Sequence, residues 1–171
     1  MRTMMARWAL LGVVMGCLVA MGLVAPANAA GTTQISGEGA YETAGECGPP
    51  PAGFADYPGL ILTGSLEGCL FTDVLTATDH GTPSGIYHET GLEMFVGSMN
   101  GGPVGTFTTT YKFESKWSPD VSTGVEVMGR CQHPIVKGSG TGGFAGATGR
   151  LDLKDEVNTG QYFYRGHITL G

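Results

Sequence analysis

From Phe107 to Trp117 the chain alternates without a break. Phe107, Thr109, Tyr111, Phe113, Ser115 and Trp117 fall on one face of an extended strand, and Thr108, Thr110, Lys112, Glu114 and Lys116 on the other. Successive side chains of a strand point to opposite faces, so this is a half-buried strand, apolar one way and wet the other. Weaker segments of the same kind run near 33–42, 60–68, 70–78, 85–97, 121–131, 134–139, 149–157 and 161–170. In the last, Tyr162, Tyr164, Ile168 and Leu170 alternate with Phe163, Arg165, His167 and Thr169. Bulk on both faces suits a barrel stave with an occupied interior. No long stretch shows the 3.6-residue period of an amphipathic helix.

The punctuation agrees. Asp79-His80-Gly81-Thr82-Pro83-Ser84-Gly85, Ser98-Met99-Asn100-Gly101-Gly102-Pro103 and Asn158-Thr159-Gly160 read as turns, and thirty glycines in the chain favour strands and turns over helices. Short strands at regular spacing in one domain leave a sandwich or a barrel. The expected fold is all-β, a small antiparallel β-barrel of about eight strands. One long insertion, 43–58 with Pro49-Pro50-Pro51, is too rich in proline for regular strand and reads as a functional or merely mobile loop.

The N-terminus has the layout of a secretory signal. Arg2 and Arg7 precede an apolar run from Trp8 to Ala25, followed by Pro26 and the small-residue exit Ala27-Asn28-Ala29. Cleavage is expected after Ala29, leaving 30–171 as a single domain and a secreted, periplasmic or cell-envelope location. An uncleaved anchor is the rival, because the run is long enough to span a bilayer. Met15-Gly16-Cys17 makes a poor lipoprotein site. Without its first 29 residues, which carry two positive charges and no acid, the chain moves from −6 to −8. So acidic a domain has no basic stripe for phosphates, which disfavours nucleic acid and anionic lipid as partners. Nothing in the chain sets an oligomeric state.

Three cysteines remain, Cys47, Cys69 and Cys131, and in an oxidising compartment two should pair. If the strands go up and down with a turn at Gly68-Cys69, that turn and the end of the 121–131 strand share one end of the barrel. Cys69 with Cys131 is then the expected disulfide, with Cys47 left free in the proline-rich loop.

The strongest local pattern is Lys137-Gly138-Ser139-Gly140-Thr141-Gly142-Gly143-Phe144-Ala145-Gly146-Ala147-Thr148-Gly149-Arg150. A phosphate-cradling loop would need a helix opening after it, but Leu151 to Val157 alternate like a strand. The better reading is that Gly140, Gly142, Gly143, Gly146 and Gly149 permit a tight bend and close backbone approach where the barrel shuts, with Phe144 plugging the end of the core. This run, the alternating strand after it and the aromatic strand Tyr162-Phe163-Tyr164 resemble the C-terminal signature of allene oxide cyclase and dirigent proteins and of related bacterial domains. Glu93-Met94-Phe95-Val96-Gly97-Ser98 to Gly105-Thr106-Phe107 is similar to the preceding hairpin of the bacterial members. The resemblance covers roughly 85–170 and implies an eight-stranded barrel with an apolar interior. Its enzymes work by shaping a pocket, but their polar pocket residues find no matching positions here, so the resemblance carries no function.

Candidate site residues are few. Arg130-Cys131-Gln132-His133-Pro134 is the densest polar cluster, and Arg130, Gln132 and His133 are candidates to line a barrel mouth and orient a ligand, against the plainer reading of a strand end whose cysteine is cross-linked and whose proline terminates the pairing. Glu89 and Glu93 share one face of a strand and form a candidate carboxylate pair for acid–base work, against the plainer reading that both face water. Glu89 joins the ligand-binding set. The histidines His80, His88, His133 and His167 have no metal-ligand spacing, and neither a metal nor a cofactor is expected. The function expected first is an exported barrel that binds a small apolar ligand or acts as an accessory protein, without catalysis. A pocket enzyme of cyclase or isomerase type and a structural or interaction module remain as alternatives.

Overall fold

A computed structural model describes residues 31–171, so the expected signal segment, with Cys17, lies outside the described residues. The rest is all-β, with no helix among the described residues. The strands are β1 (Thr32–Tyr41), β2 (Leu60–Gly64), β3 (Leu66–Asp79), β4 (Ile86–Met99), β5 (Gly105–Ser118), β6 (Val125–Pro134), the two-residue β7 (Thr141–Gly142), β8 (Thr148–Glu156) and β9 (Gln161–Thr169). Every pairing is antiparallel, in the order β4-β3-β2-β1-β9-β8-β6-β5, and β4 pairs β5 to shut the ring. Eight staves close the barrel, and β7 adds a short pairing to the start of β5. Closure leaves no long unpaired edge.

Local chemistry sets the hairpins. Between β4 and β5, Asn100 and Gly101 both have positive φ, 50° and 70°, the backbone that an Asn-Gly pair supplies at a tight hairpin. Two sequence expectations shift here. Residues 134–139 are not a stave; Ile135 makes a single bridge to Thr109 and the chain then turns. The first hairpin turns at Gly64-Ser65, and Gly68-Cys69 lies inside β3, paired with Gly97 and Val96.

That shift corrects the disulfide. Leu70 is in the core and Thr72 faces the interior, so Cys69 points outward from β3, whereas Cys131 points inward from β6. The wall of the barrel lies between them, and they do not pair. The disulfide is Cys47–Cys69, with Cα atoms 5.8 Å apart, and Cys131 is a free thiol. The long segment 43–58 is accordingly tied down. Glu42 accepts hydrogen bonds from the backbone N–H of Cys47 and of Gly59, both 2.9 Å, which fastens its two ends. Further along, Asp56 N–H donates to the Thr72 carbonyl and the Asp56 carboxylate accepts from Val74 N–H. The segment thus lies along β3 where β2 has not yet begun. On this outer side Phe71 is buried.

One end of the interior is packed solid. Phe95 and Phe107 stack at 5.1 Å, and the Phe144 ring meets both edge-on at 5.6 and 5.0 Å. Leu62, Leu66, Leu151 and Ile168 belong to the same buried cluster. Phe144, 1% exposed, is the plug expected of the glycine run. Gly142 and Gly146 there have φ of 53° and 72°, and a Cβ on Gly140 would strike the Phe144 carbonyl. After the run comes β8, not a helix, so the phosphate-loop reading has no structural basis. Tyr164 adds a polar group to this end: its hydroxyl accepts from Leu66 N–H at 2.8 Å and donates to the Thr63 carbonyl at 2.9 Å.

Candidate functional site

The other end of the interior is open. Its cavity of about 420 Å³ is walled by all eight staves, Leu60 coming from β2. The alternation of β5 carries inward Tyr111, Phe113, Ser115 and Trp117, the wet-end continuation of the face that began at Phe107. β4 contributes Tyr87, Glu89 and Glu93; β6 contributes Glu126, Cys131 and His133; β8 contributes Leu153 and Asp155. Tyr162, Tyr41 and Thr72 come from β9, β1 and β3, and Tyr57 from the disulfide-tied segment.

Three carboxylate arrangements meet in this space. Glu89, 4% exposed, accepts hydrogen bonds from three tyrosines: Tyr57 at 2.7 Å and Tyr87 at 2.6 Å on Oε2, and Tyr111 at 2.7 Å on Oε1. Both its oxygens are satisfied, as a buried carboxylate requires. Burial, and then the carboxylate they donate to, push all three tyrosine hydroxyls above their ordinary range, Tyr87 to about 12. A glycine makes the packing possible. Gly91 lies between Glu89 and Glu93 on the inner face of β4, and a Cβ there would run into the Tyr111 ring.

Glu93, 9% exposed, is less well served. Thr72 Oγ1 donates to its Oε1 at 3.3 Å. His133 Nε2 stands 2.7 Å from its Oε2, ion-pair distance, but the ring N–H is not aimed at that oxygen. Glu93 Oε2 and His133 Nδ1 therefore have no hydrogen-bond partner among the described residues, although His133 is only 1% exposed. Thr109 Oγ1, across from Glu93 on β5, is also unpartnered. The His133 ring stacks on Tyr111 at 6.1 Å.

Glu126 and Asp155 form the third arrangement. Both carboxylates lie over Gly129 of β6, where a Cβ would collide with Asp155 Oδ2 and Glu126 Oε1. Burial, then the Asp155 charge beside it, push the Glu126 carboxyl up to about 7, and burial also raises Asp155. Two acids this close do not both ionise readily, so Glu126 holds the proton. The Tyr162 hydroxyl is pushed to about 12 by burial and then by these two acids. Burial, followed by Glu93, Asp155 and Glu89, drives the Cys131 thiol upward, so the acids converge on the region around that residue. No Lys or Arg lines the cavity among the described residues, and no group of three His, Cys, Asp or Glu there is placed to hold a metal ion.

The four ligand residues expected from sequence divide between the two faces of the wall. Glu89 and His133 are inside, but Arg130 and Gln132 are outside, because neighbours on a strand face opposite ways. Arg130 donates to Glu114 at 2.8 Å on the outer face, and His88 and Arg130 together hold the Glu114 carboxyl below its usual range. The pair Glu89 and Glu93 does share a face, and that face is inward. Glu126, Asp155 and Tyr57 were not singled out in the sequence. Asp155 sits on the same parity as Leu151 and Leu153, a signal that the inner face of β8 continues into an acid. Compared with protein-family models, with curated proteins and with solved structures, the chain finds no match.

Proposed function

We propose that this chain is an exported barrel protein that binds one small organic molecule in the open half of its interior. The carrying observation is a cavity of about 420 Å³ into which buried polar groups converge, Glu93 and His133 with atoms left unpartnered. Concave, largely aromatic walls with a few placed polar groups are the usual form of a small-molecule site. The Cys47–Cys69 disulfide is compatible with export, and the signal-like N-terminus supports it. The closed eight-stave ring and the glycine run before the last hairpin also support kinship with the allene oxide cyclase and dirigent superfamily. An open interior favours binding over a purely structural module. The acids change the expected ligand from plainly apolar to one with an apolar body and a polar end.

Native mass spectrometry of the exported protein tests this reading. A retained mass beyond that of the polypeptide is expected, together with saturable uptake of the neutral probe 1-aminoanthracene. Both should be weakened in Cys131→Phe, which puts a ring into the cavity. A folded protein with neither a retained mass nor saturable uptake overturns it.

A second reading, a pocket enzyme that moves a proton in a cyclisation or isomerisation, is favoured by Glu126. A carboxyl pushed up to about 7 beside a second acid is suited to giving and taking a proton near neutral pH. Turnover abolished by Glu126→Gln with ligand binding retained would select it.

A further inference from the structure

We infer that the molecule taken up by this cavity is an organic cation, an amine or ammonium group carried on an aromatic or aliphatic body. The inference rests on the binding reading above and names the ligand class.

Charge is the first argument. Glu89, Glu93, Glu126 and Asp155 all line the space, and His133 is the one side chain there able to carry a positive charge. Glu89 is settled by its three tyrosine donors. The other three acids receive no such set. Thr72 donates to Glu93 Oε1 and His133 Nε2 stands 2.7 Å from Oε2 without alignment, while Glu126 Oε1, on the acid that holds the proton beside Asp155, is buried without a partner. A buried carboxylate without donors is unfavourable unless a countercharge reaches it. A wholly apolar guest would strip water from these acids and return nothing, and an anion would be repelled. An ammonium group supplies several donors and the missing charge at once.

The walls give a second, independent argument. Tyr41, Tyr162, Tyr87, Phe113 and Trp117 surround the acids. Tyr41 and Tyr162 meet edge to face at 5.6 Å, and Tyr87 and Phe113 at 6.3 Å. Aromatic faces attract cations through the ring quadrupole, most strongly where water is excluded. Acids beside aromatic walls, without a lysine or arginine to occupy them, make a receptor for a cation with a hydrophobic body.

Tryptamine, tryptophol and indole-3-acetate carry one ring body with positive, neutral and negative ends. Calorimetric titration of the disulfide-intact protein at pH 7 should show tryptamine binding at least tenfold tighter than tryptophol, with no binding of indole-3-acetate. Glu93→Gln and Asp155→Asn should each weaken tryptamine at least fivefold, and the ligand-free melting temperature of Asp155→Asn should hold or rise, since burial already disfavours that charge. If one variant fails to fold, the other carries the test. Tryptophol binding as tightly as tryptamine, or indole-3-acetate binding best, overturns the cation assignment and leaves the binding reading standing. No binding by any of the three overturns the cation assignment too, and retained mass and 1-aminoanthracene uptake then judge the cavity separately.

Discussion

Phe107 and Tyr111 stand two pleats apart on the inner face of β5 and belong to different worlds. Around Phe107 the staves meet in a dry cluster where three phenylalanine rings lie within 5.0–5.6 Å of one another. Around Tyr111 the same staves hold acids, tyrosines and space. β4 changes character in the same way, from Phe95 to Glu93 and Glu89, and β8 from Leu151 and Leu153 to Asp155. The closed half supplies stability, and the open half gives some of it up, because buried acids with unfilled hydrogen-bonding capacity oppose folding. Residues set against stability at the end of a well-packed barrel are what the proposed binding function would place there.

Three measurements would break or sharpen that contrast. Phe144→Ala, at the centre of the dry half, should lower unfolding free energy by about 3–5 kcal/mol in urea denaturation. A loss near zero would mean that the plug does not hold that end. Cys47→Ser should lower stability by about 3 kcal/mol, the chain-entropy value for a loop of this size. In hydrogen exchange the protection lost should lie mainly along 43–58 and the open half, with the phenylalanine cluster keeping its own. The smallest effect is electrostatic. With the Glu126 carboxyl raised to about 7, the folded state keeps a proton that the unfolded chain releases from about pH 4.5 upward. Stability should therefore fall as pH rises through that window and level off above 7, by on the order of 1–2 kcal/mol after discounting for solvent screening. Glu126→Gln should flatten this slope relative to the parent; an unchanged slope would remove Glu126 from the account.

Much of the dry half was legible in the sequence. The aromatic face of β5, the antiparallel ring and the plugging role of Phe144 follow from alternation and from glycines placed where backbone must bend or crowd. The open half was harder. On β4 the even positions Leu92, Met94 and Val96 look like the buried set, whereas Glu89 and Glu93 are the ones that enter the barrel. Burial of acids runs against the ordinary preference of Glu for water, so alternation alone selects the wrong face. Glu126 was hidden for another reason. The register shift between Lys116 and Trp117 of β5 leaves Val127 and Met128 of β6 both exposed, which breaks the simple alternation that would have linked Glu126 to Cys131 and His133. The disulfide was missed through the position of one turn. Four residues of offset between Gly64 and Gly68 decide whether Cys69 ends a strand or faces outward from the middle of one.

The segment that Cys47 fastens to the barrel also carries Tyr57, one of the three hydroxyls on Glu89. Oxidation on the outside of the wall therefore helps furnish the inside. Without that bond the phenylalanine stack would keep its own contacts, while the segment that brings Tyr57 to Glu89 would lose its covalent tie to β3.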